Sequence, residues 1–472
     1  MTTTRREFVG RAGLAAAGGL VGGCGRPLRP RVCDTRTLAN APLCTSNHAF
    51  ENWSHTVQFQ ARRFCRPRTE QQVVDIVKEA RAAGTCVRTQ GAGHSFSQLL
   101  PTADTLVSLD ALERPIAVQG NRVTVSGGMR LKCVIDALRE RGLAFRNLGS
   151  ITEQSIAGAF STGTHGSGLR LGAISTQVVG VRMVTGNGDV HTITEQDAQD
   201  LAAARINLGA LGIITEVTLE CVPDHELEYT AYLTTLEDVI GEIDALNAEN
   251  DRVVLWWVLL PLVRRDTVVL ITKNSVGGPR GVLSRSAVGR ASDAVPRRLP
   301  KDEKDLRDAA RAAPARGFKT IRHVVSGYDE ALTIPLLPVF HRECEYAIPV
   351  ERTADALRAI REVVEEGDLT LTLPIEVRFV AQDDILLSPC NGRAVCYLGA
   401  STLLNSTEVF ERFEPIMKSL GGKPHWGKNF TLTQAEVAQD LYPATYGAFR
   451  AVRDRFDPKR VFANSMLTEL FP

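Results

Sequence analysis

TQGAGHSFSQ, residues 89–98, follows an apolar segment and sets three small residues, Gly91, Ala92 and Gly93, directly before a histidine and a serine. Such a turn lets backbone come close to a phosphate. A dinucleotide-binding Rossmann turn would need G-x-G-x-x-G opening a helix. Here Phe96 holds the third glycine's place, and LLPTADTLVSL (residues 99–109) does not read as helix, so that fold is excluded. What remains is a nest of backbone N–H groups able to hold an anion, and a histidine whose purpose the turn alone leaves unexplained.

A second glycine-rich run, GSITEQSIAGAFSTGTHGSG (149–168), is nearly uncharged, and Ile151, Ile156, Ala157 and Phe160 mark it as packed rather than as a linker. Two packed glycine-rich segments suit an extended ligand with phosphates lying against backbone; a purely structural role is the alternative.

The surrounding pattern is α+β with many short strands rather than a clean βαβ repeat. A helix is expected from Thr69 as N-cap to Gly84 as stop, with Val73, Val74, Ile76, Val77 and Ala80 at helical spacing. CVRTQ (86–90), TLVSL (105–109) and NRVTVSGG (121–128) read as strands, and LKCVIDALRERG (131–142) as an amphipathic helix. QVVGVRMVTGNGDVHTI (177–193) reads as a hairpin, since Asn187-Gly188 readily takes the positive φ angles of tight turns. LGIITEVTLECV (211–222) closes the first unit, and a second compact set begins near residue 345. Residues 277–317 are charge-mixed and expected to be solvated helix and loop.

A net charge of +1 over 472 residues argues against a nucleic-acid partner. No apolar run reaches the roughly 18–20 residues of a membrane span. Ten cysteines are too dilute for a disulfide scaffold, and none shows zinc spacing, so no metal is expected. At the N-terminus, Arg5-Arg6 before an Ala/Gly/Leu run that ends in VGGC at Cys24 resembles a twin-arginine export signal with a lipoprotein cleavage box. The alternative there is a soluble protein after cleavage, or a short exposed helix. Residues 25–56 read as linker, 57–225 as the first domain and 226–472 as the second. Cys33 and Cys44 could bridge outside the cytoplasm or be free.

GAGHS, the 149–168 run and ARINLGALGIITEVTL (204–219) together resemble the PCMH-type FAD-binding domain, two α/β subdomains, of the vanillyl-alcohol-oxidase superfamily. EYAIPVE (345–351), PIEVRFVAQDDILLSPC (374–390), GGKPHWGK (421–428) and RFDPKRVFANSMLTELF (455–471) are similar to the aldonolactone oxidoreductases, whose substrate domain is an α+β cap. The resemblance implies FAD joined covalently to His94. The other reading is a hydrogen-bonding turn histidine with FAD held non-covalently. It further implies that Gln90, Gly91, Ala92, Gly93, His94 and Ser95 face the diphosphate. Ser150, Ser155, Gly158, Ser161, Thr162, Gly163 and Thr164 would line the flavin side, with Ile213 or Ile214 at the adenine end.

Glu376 and Arg378, two apart on an expected strand, share a face, while Ile375, Val377 and Phe379 mark the other as buried. The family likeness places the pair over the flavin, the glutamate binding sugar hydroxyls and the arginine stabilising charge. Lys428 matches a lysine near substrate and flavin, expected to help remove a proton with its basicity lowered by burial and Arg378. His425 and Trp426 read as nearer to structure. The implied reaction oxidises the C2 hydroxyl of an aldono-1,4-lactone (L-gulono-, L-galactono- or D-arabinono-), with oxygen or a cytochrome as acceptor. An alditol or sugar oxidase and a non-catalytic flavin electron carrier are the alternatives. Ser401, where alditol oxidases have histidine, disfavours an open-chain polyol, and Gly127, a small residue near the flavin, favours oxygen and hydrogen peroxide.

Overall fold

Among the residues that the computed structural model describes (41–259, 266–277, 317–334, 340–366, 371, 373–403 and 407–472), three sheets of four or more strands organise the chain. The export segment, Cys24, Cys33 and nearly all of the polar segment near 277–317 lie outside the described residues.

The first sheet has the order β1-β2-β4-β3, from β1 (Cys44–Glu51), β2 (Gln58–Cys65), β3 (Val87–Gln90) and β4 (Thr105–Ser108). β1 corrects the linker reading of 25–56. Its side chains are mostly exposed, so the edge strand carries no apolar alternation to find. The sulfur chemistry is corrected with it: Cys44 bridges not to Cys33 but to Cys65, its register partner on β2. Thr69 and Gln72 form a capping box at the start of helix Glu70–Ala83, and Gly84 ends it at φ 64°, as expected. The helix buries Val73, Val74, Ile76, Val77 and Ala80 against this sheet.

The second sheet, order β5-β6-β10-β8-β9, contains β5 (Ala117–Gln119), β6 (Arg122–Ser126), β8 (Val178–Val184), β9 (Val190–Thr194) and β10 (Ile213–Glu220). A two-residue β7 (Leu143–Ala144) pairs separately with β11 (Val222–Pro223). The β8–β9 hairpin forms, but on a longer turn than a two-residue type: Thr185 N–H bonds Asp189 O at 2.9 Å. Only Gly188 takes a positive φ there, 79°, and Asn187 does not.

The third sheet has eight strands in the order β15-β12-β14-β13-β17-β18-β16-β19. They are β12 (Glu226–Thr235), β13 (Arg252–Trp257), β14 (Thr267–Ser275), β15 (Lys319–Gly327), β16 (Arg342–Pro349), β17 (Ile375–Val380), β18 (Val395–Thr402) and β19 (Lys423–Pro424). Every pairing is antiparallel. Helices Leu236–Glu249, Thr353–Glu365 and Glu408–Ser419 cover one face, into which Ile375, Val377 and Phe379 point. The other face is left for the first unit. An FAD-binding unit with a sheet-rich α+β cap is the arrangement that the motifs implied.

The C-terminus returns to the first unit: Tyr446, Phe449, Phe456 and Phe471 share a core with Phe145 and Phe160. Arg88, on β3 and 3% exposed, ties these parts together. It uses all five of its N–H donors on main-chain carbonyls: two on Leu99 (2.9 and 2.6 Å), and one each on Leu208 (2.9 Å), Gly209 (2.8 Å) and Phe462 (2.6 Å). Leu208 is held in a left-handed conformation (φ 57°) at that contact. Arg88→Leu strands these buried carbonyls, and we expect a loss of about 3 kcal/mol or more in denaturant unfolding; a loss below about 1 kcal/mol would show that β3 is held by packing alone.

Candidate active site

The strand β3 ends at Gln90 and delivers the glycine turn to a cleft in the first unit, whose His94 end opens to the cap face. One cavity, about 140 Å³, is lined by Gln90, Gly91, Ala92, Gly93, His94 and Ser95 with Ser155, Gly158, Ser161, Thr162 and Ile214 opposite. A second, about 230 Å³, is lined by His94, Ser150, Thr162, Thr164, Glu376, Arg378 and Lys428 among others. Both include His94, Ser95, Gln154 and Thr162, so they run together as one elongated site.

Two expected residues are not in its walls. Ile213 is buried in the core against helix Glu70–Ala83, because neighbours on β10 face opposite sides and only Ile214 points to the cleft. Gly163 lies behind the wall, as a turn at φ 83° closed by its N–H to Phe160 O (3.1 Å).

Glycine is required where the segments meet. A Cβ on Gly91 would sit 2.4 Å from Ser155 Oγ, the hydroxyl that caps helix Ile156–Ser161. A Cβ on Gly127 would sit 2.2 Å from Ile214 O, and one on Gly128 2.3 Å from Leu109 O. Gly127 is therefore small because β10 backbone lies against it, which removes the ground for reading oxygen access from its size.

His94 has no hydrogen-bond partner for either ring nitrogen among the described residues; its ring lies 5.7 Å from that of Trp53. Burial, then the charges of Arg130 and Lys428, push it down to about 4, so it is neutral at ordinary pH. An imidazole that serves no turn is a different object from a structural turn histidine.

On the cap face, register aligns the charged groups. Trp256 of β13, Glu376 of β17, Gly399 of β18 and Glu345 of β16 stand in one cross-strand row. Glu376 accepts from Trp256 Nε1 (3.1 Å) and from Arg378. Arg378 also donates to Ser150 Oγ (2.9 Å) and His165 O (3.2 Å). Burial would lower Arg378, but Glu376 and Glu345 outweigh it and raise it.

Glu343 and Glu345 are functional candidates that sequence reasoning missed, although their period-two spacing beside the quoted EYAIPVE stretch was a usable signal. Burial and Arg378 are the influences on Lys428 expected from the sequence; the structure adds a direct bond to Glu343, and His341 Nε2 lies 3.7 Å from the same carboxylate. Burial opposes ionisation of Glu343, yet Lys428 and His341 hold it well below the usual carboxylate range. Glu345 is likewise held low against burial, chiefly by His165, whose Nε2 is 3.3 Å away.

His165, Glu345 and His425 bring ligand-type atoms within 4.8 Å of one another. His425 Nδ1 accepts the Gly427 N–H (3.0 Å), which leaves the ring proton on Nε2, and burial pushes this histidine down to about 3. Metal binding through Nε2 would require that proton to leave. The trio is a hydrogen-bonding wall, and His425 belongs to the site more than the sequence suggested.

Residues 61–194 match the family model "FAD binding domain", and residues 217–470 match "D-arabinono-1,4-lactone oxidase". The L-gulono-1,4-lactone dehydrogenase of Mycobacterium tuberculosis is 31% identical over 88% of this chain and 97% of its own. The chain belongs to the aldonolactone oxidoreductase family. The L-gulonolactone oxidase of Bos taurus is 29% identical over 89% of this chain and 98% of its own. The cholesterol oxidase from B. sterolicum, 17% identical, superposes with a TM-score of 0.73 over 95% of this chain and 99% of that one, which shows a shared fold. As a family member the chain is an FAD-dependent oxidoreductase. Its residues fit that cofactor: among the described residues the buried Gln90 Oε1 and Gln154 Oε1 lack partners, and the glycine contacts leave bare backbone along the cleft.

Gly127→Ala should lower flavin content and thermal stability together, whatever acceptor is supplied. A fully loaded variant of unchanged stability, altered only in its reaction with oxygen, would restore the access argument.

Proposed function

We propose that the protein oxidises the C2 hydroxyl of an aldono-1,4-lactone. The observation that carries this is one cavity lined by the Glu376–Arg378 and Glu343–Lys428 pairs together with His94. FAD, when bound, supplies the hydride acceptor.

The chain's residues then position and polarise. Glu376 has fixed hydrogen bonds from Trp256 and Arg378, and its remaining acceptor capacity suits a pair of sugar hydroxyls. Arg378 and Lys428, each held in an ion pair, stabilise negative charge developing on the hydroxyl oxygen as its proton passes to solvent. Glu343 keeps Lys428 in place. Ser401 also lines the cavity and leaves room for a ring near Lys428.

His94 is proposed as the covalent flavin attachment. Its neutral, unpartnered imidazole supports this, since a nucleophile needs a free lone pair. We further propose an extracytoplasmic location. The paired arginines at 5 and 6 and the Cys44–Cys65 bridge, a bond favoured in oxidising compartments, both support it.

The direct test mixes the flavin-loaded protein anaerobically with L-gulono- or L-galactono-1,4-lactone. Absorbance near about 450 nm should bleach; no bleaching with any lactone ends the reading. Lys428→Met should slow that bleaching about 10²–10³-fold with lactone still binding. A panel run with oxygen and with cytochrome c separates oxidase from dehydrogenase.

Acid precipitation addresses His94. Flavin should stay with the wild-type pellet and appear in the supernatant of His94→Ala; release from the wild type would discard the covalent link.

A further inference from the structure

Behind the Glu376–Arg378 pair lies another cavity, about 40 Å³, that the reaction above does not use. It shares with the flavin–substrate cavity only the wall of Ser150, Trp256, Ile334, Glu376 and Arg378 among the described residues. Register builds its floor. Tyr229, Lys273 and Arg252 stand side by side across β12, β14 and β13. In the adjacent row on the same face, Arg322 and Arg378 are joined through Ala231, Ile271 and Val254.

Among the described residues Arg252, Lys273 and Arg378 face Glu330 and Glu376, and Glu376 is committed to Arg378 and Trp256, which leaves Arg252 and Lys273 against Glu330. Arg252 is only 4% exposed, and its one side-chain hydrogen bond among the described residues goes to Arg146 O (2.8 Å). Among the described residues its buried Nε has no partner, nor does the buried Ser326 Oγ. Buried donors of this kind are costly unless something accepts from them. Lys273 and Arg322 both approach the Tyr229 ring, at 5.8 and 5.2 Å from its centroid. Burial and the neighbouring Arg378 push Lys273 down to about 7, a strain that an anion would relieve.

We propose that this cavity binds a small oxyanion, of phosphate or carboxylate size, next to but separate from the flavin–substrate site. The volume holds about three water-sized bodies, which excludes a nucleotide or sugar phosphate. Arg378 faces both cavities, so a bound anion draws on the guanidinium that Glu376 also holds. Anion binding and turnover are thereby coupled.

The test uses the flavin-loaded full chain at constant ionic strength in chloride. It is titrated with inorganic phosphate and, in a parallel arm, with acetate, reading thermal midpoint and flavin absorbance. The expected result is a saturable rise in midpoint with at least one anion, weakened about tenfold or more in both Lys273→Gln and Arg322→Gln. Saturation by phosphate alone assigns a tetrahedral ligand, and by acetate alone a carboxylate. No saturable response in the wild type overturns the proposal, as does an equal response in either flavin-loaded variant. Bleaching by lactone in the chloride buffer without phosphate or acetate is scored separately, so its failure would not be confused with failure of the anion site.

Discussion

Arg378 holds a charge out of water at the junction of two structural units, and the surrounding architecture answers that demand. A buried guanidinium needs both a counter-charge and acceptors for its remaining N–H groups. Glu376, two residues away on the same strand face, supplies the first; Ser150 Oγ and His165 O, from the FAD-binding unit, supply the second. One side chain therefore belongs to the cap by sequence and to the cofactor unit by hydrogen bonding. Removing it would leave a partly buried carboxylate on one side and unpaired acceptors on the other. Positioning the cap face over the cleft and presenting a cation to the substrate are the same set of contacts.

The glycine segments impose a second constraint, and it is steric. Gly91, Gly127 and Gly128 each face atoms that would lie within 2.4 Å of an added Cβ. The cleft wall is thus made where separate parts of the chain touch, Gly127 and Gly128 against backbone carbonyls and Gly91 against the capping hydroxyl of Ser155. Arg88 fixes one of them: it anchors β3 immediately before the turn and reaches residues 208, 209 and 462. The C-terminus, far from the cleft in sequence, is in this way part of what presents His94. Gly127 shows the cost of reading function from residue size alone, since the carbonyl of Ile214 already accounts for it.

What was legible in the sequence follows from how local the signal is. The helix from Glu70 to Ala83 was readable because its cap, stop and apolar spacing all lie within one segment. The shared face of Glu376 and Arg378 was readable because strand periodicity is local too. β1 was not, since an exposed edge strand is specified by its partner and by the bond from Cys44 to Cys65. Choosing between Ile213 and Ile214 required the direction of β10. The pairing of Lys428 with Glu343 spans residues 85 apart in sequence, and no spacing rule reaches across that interval.

The cap face also explains why the catalytic pair stands where it does. On the β16–β18 side the face carries Glu343 and Glu345; on the β12–β14 side it carries Lys273 and Arg252. Strand β17 lies at the seam. Arg378 is raised by carboxylates from one side, while Glu376 partly offsets the lowering of Lys273 on the other. In a low-dielectric interior such fields are weakly screened. At the seam the guanidinium is favoured by Glu376, Glu345 and Glu343 and opposed by Lys273. The antiparallel register that sets Glu345, Glu376 and Trp256 in one row therefore decides which carboxylates the guanidinium meets.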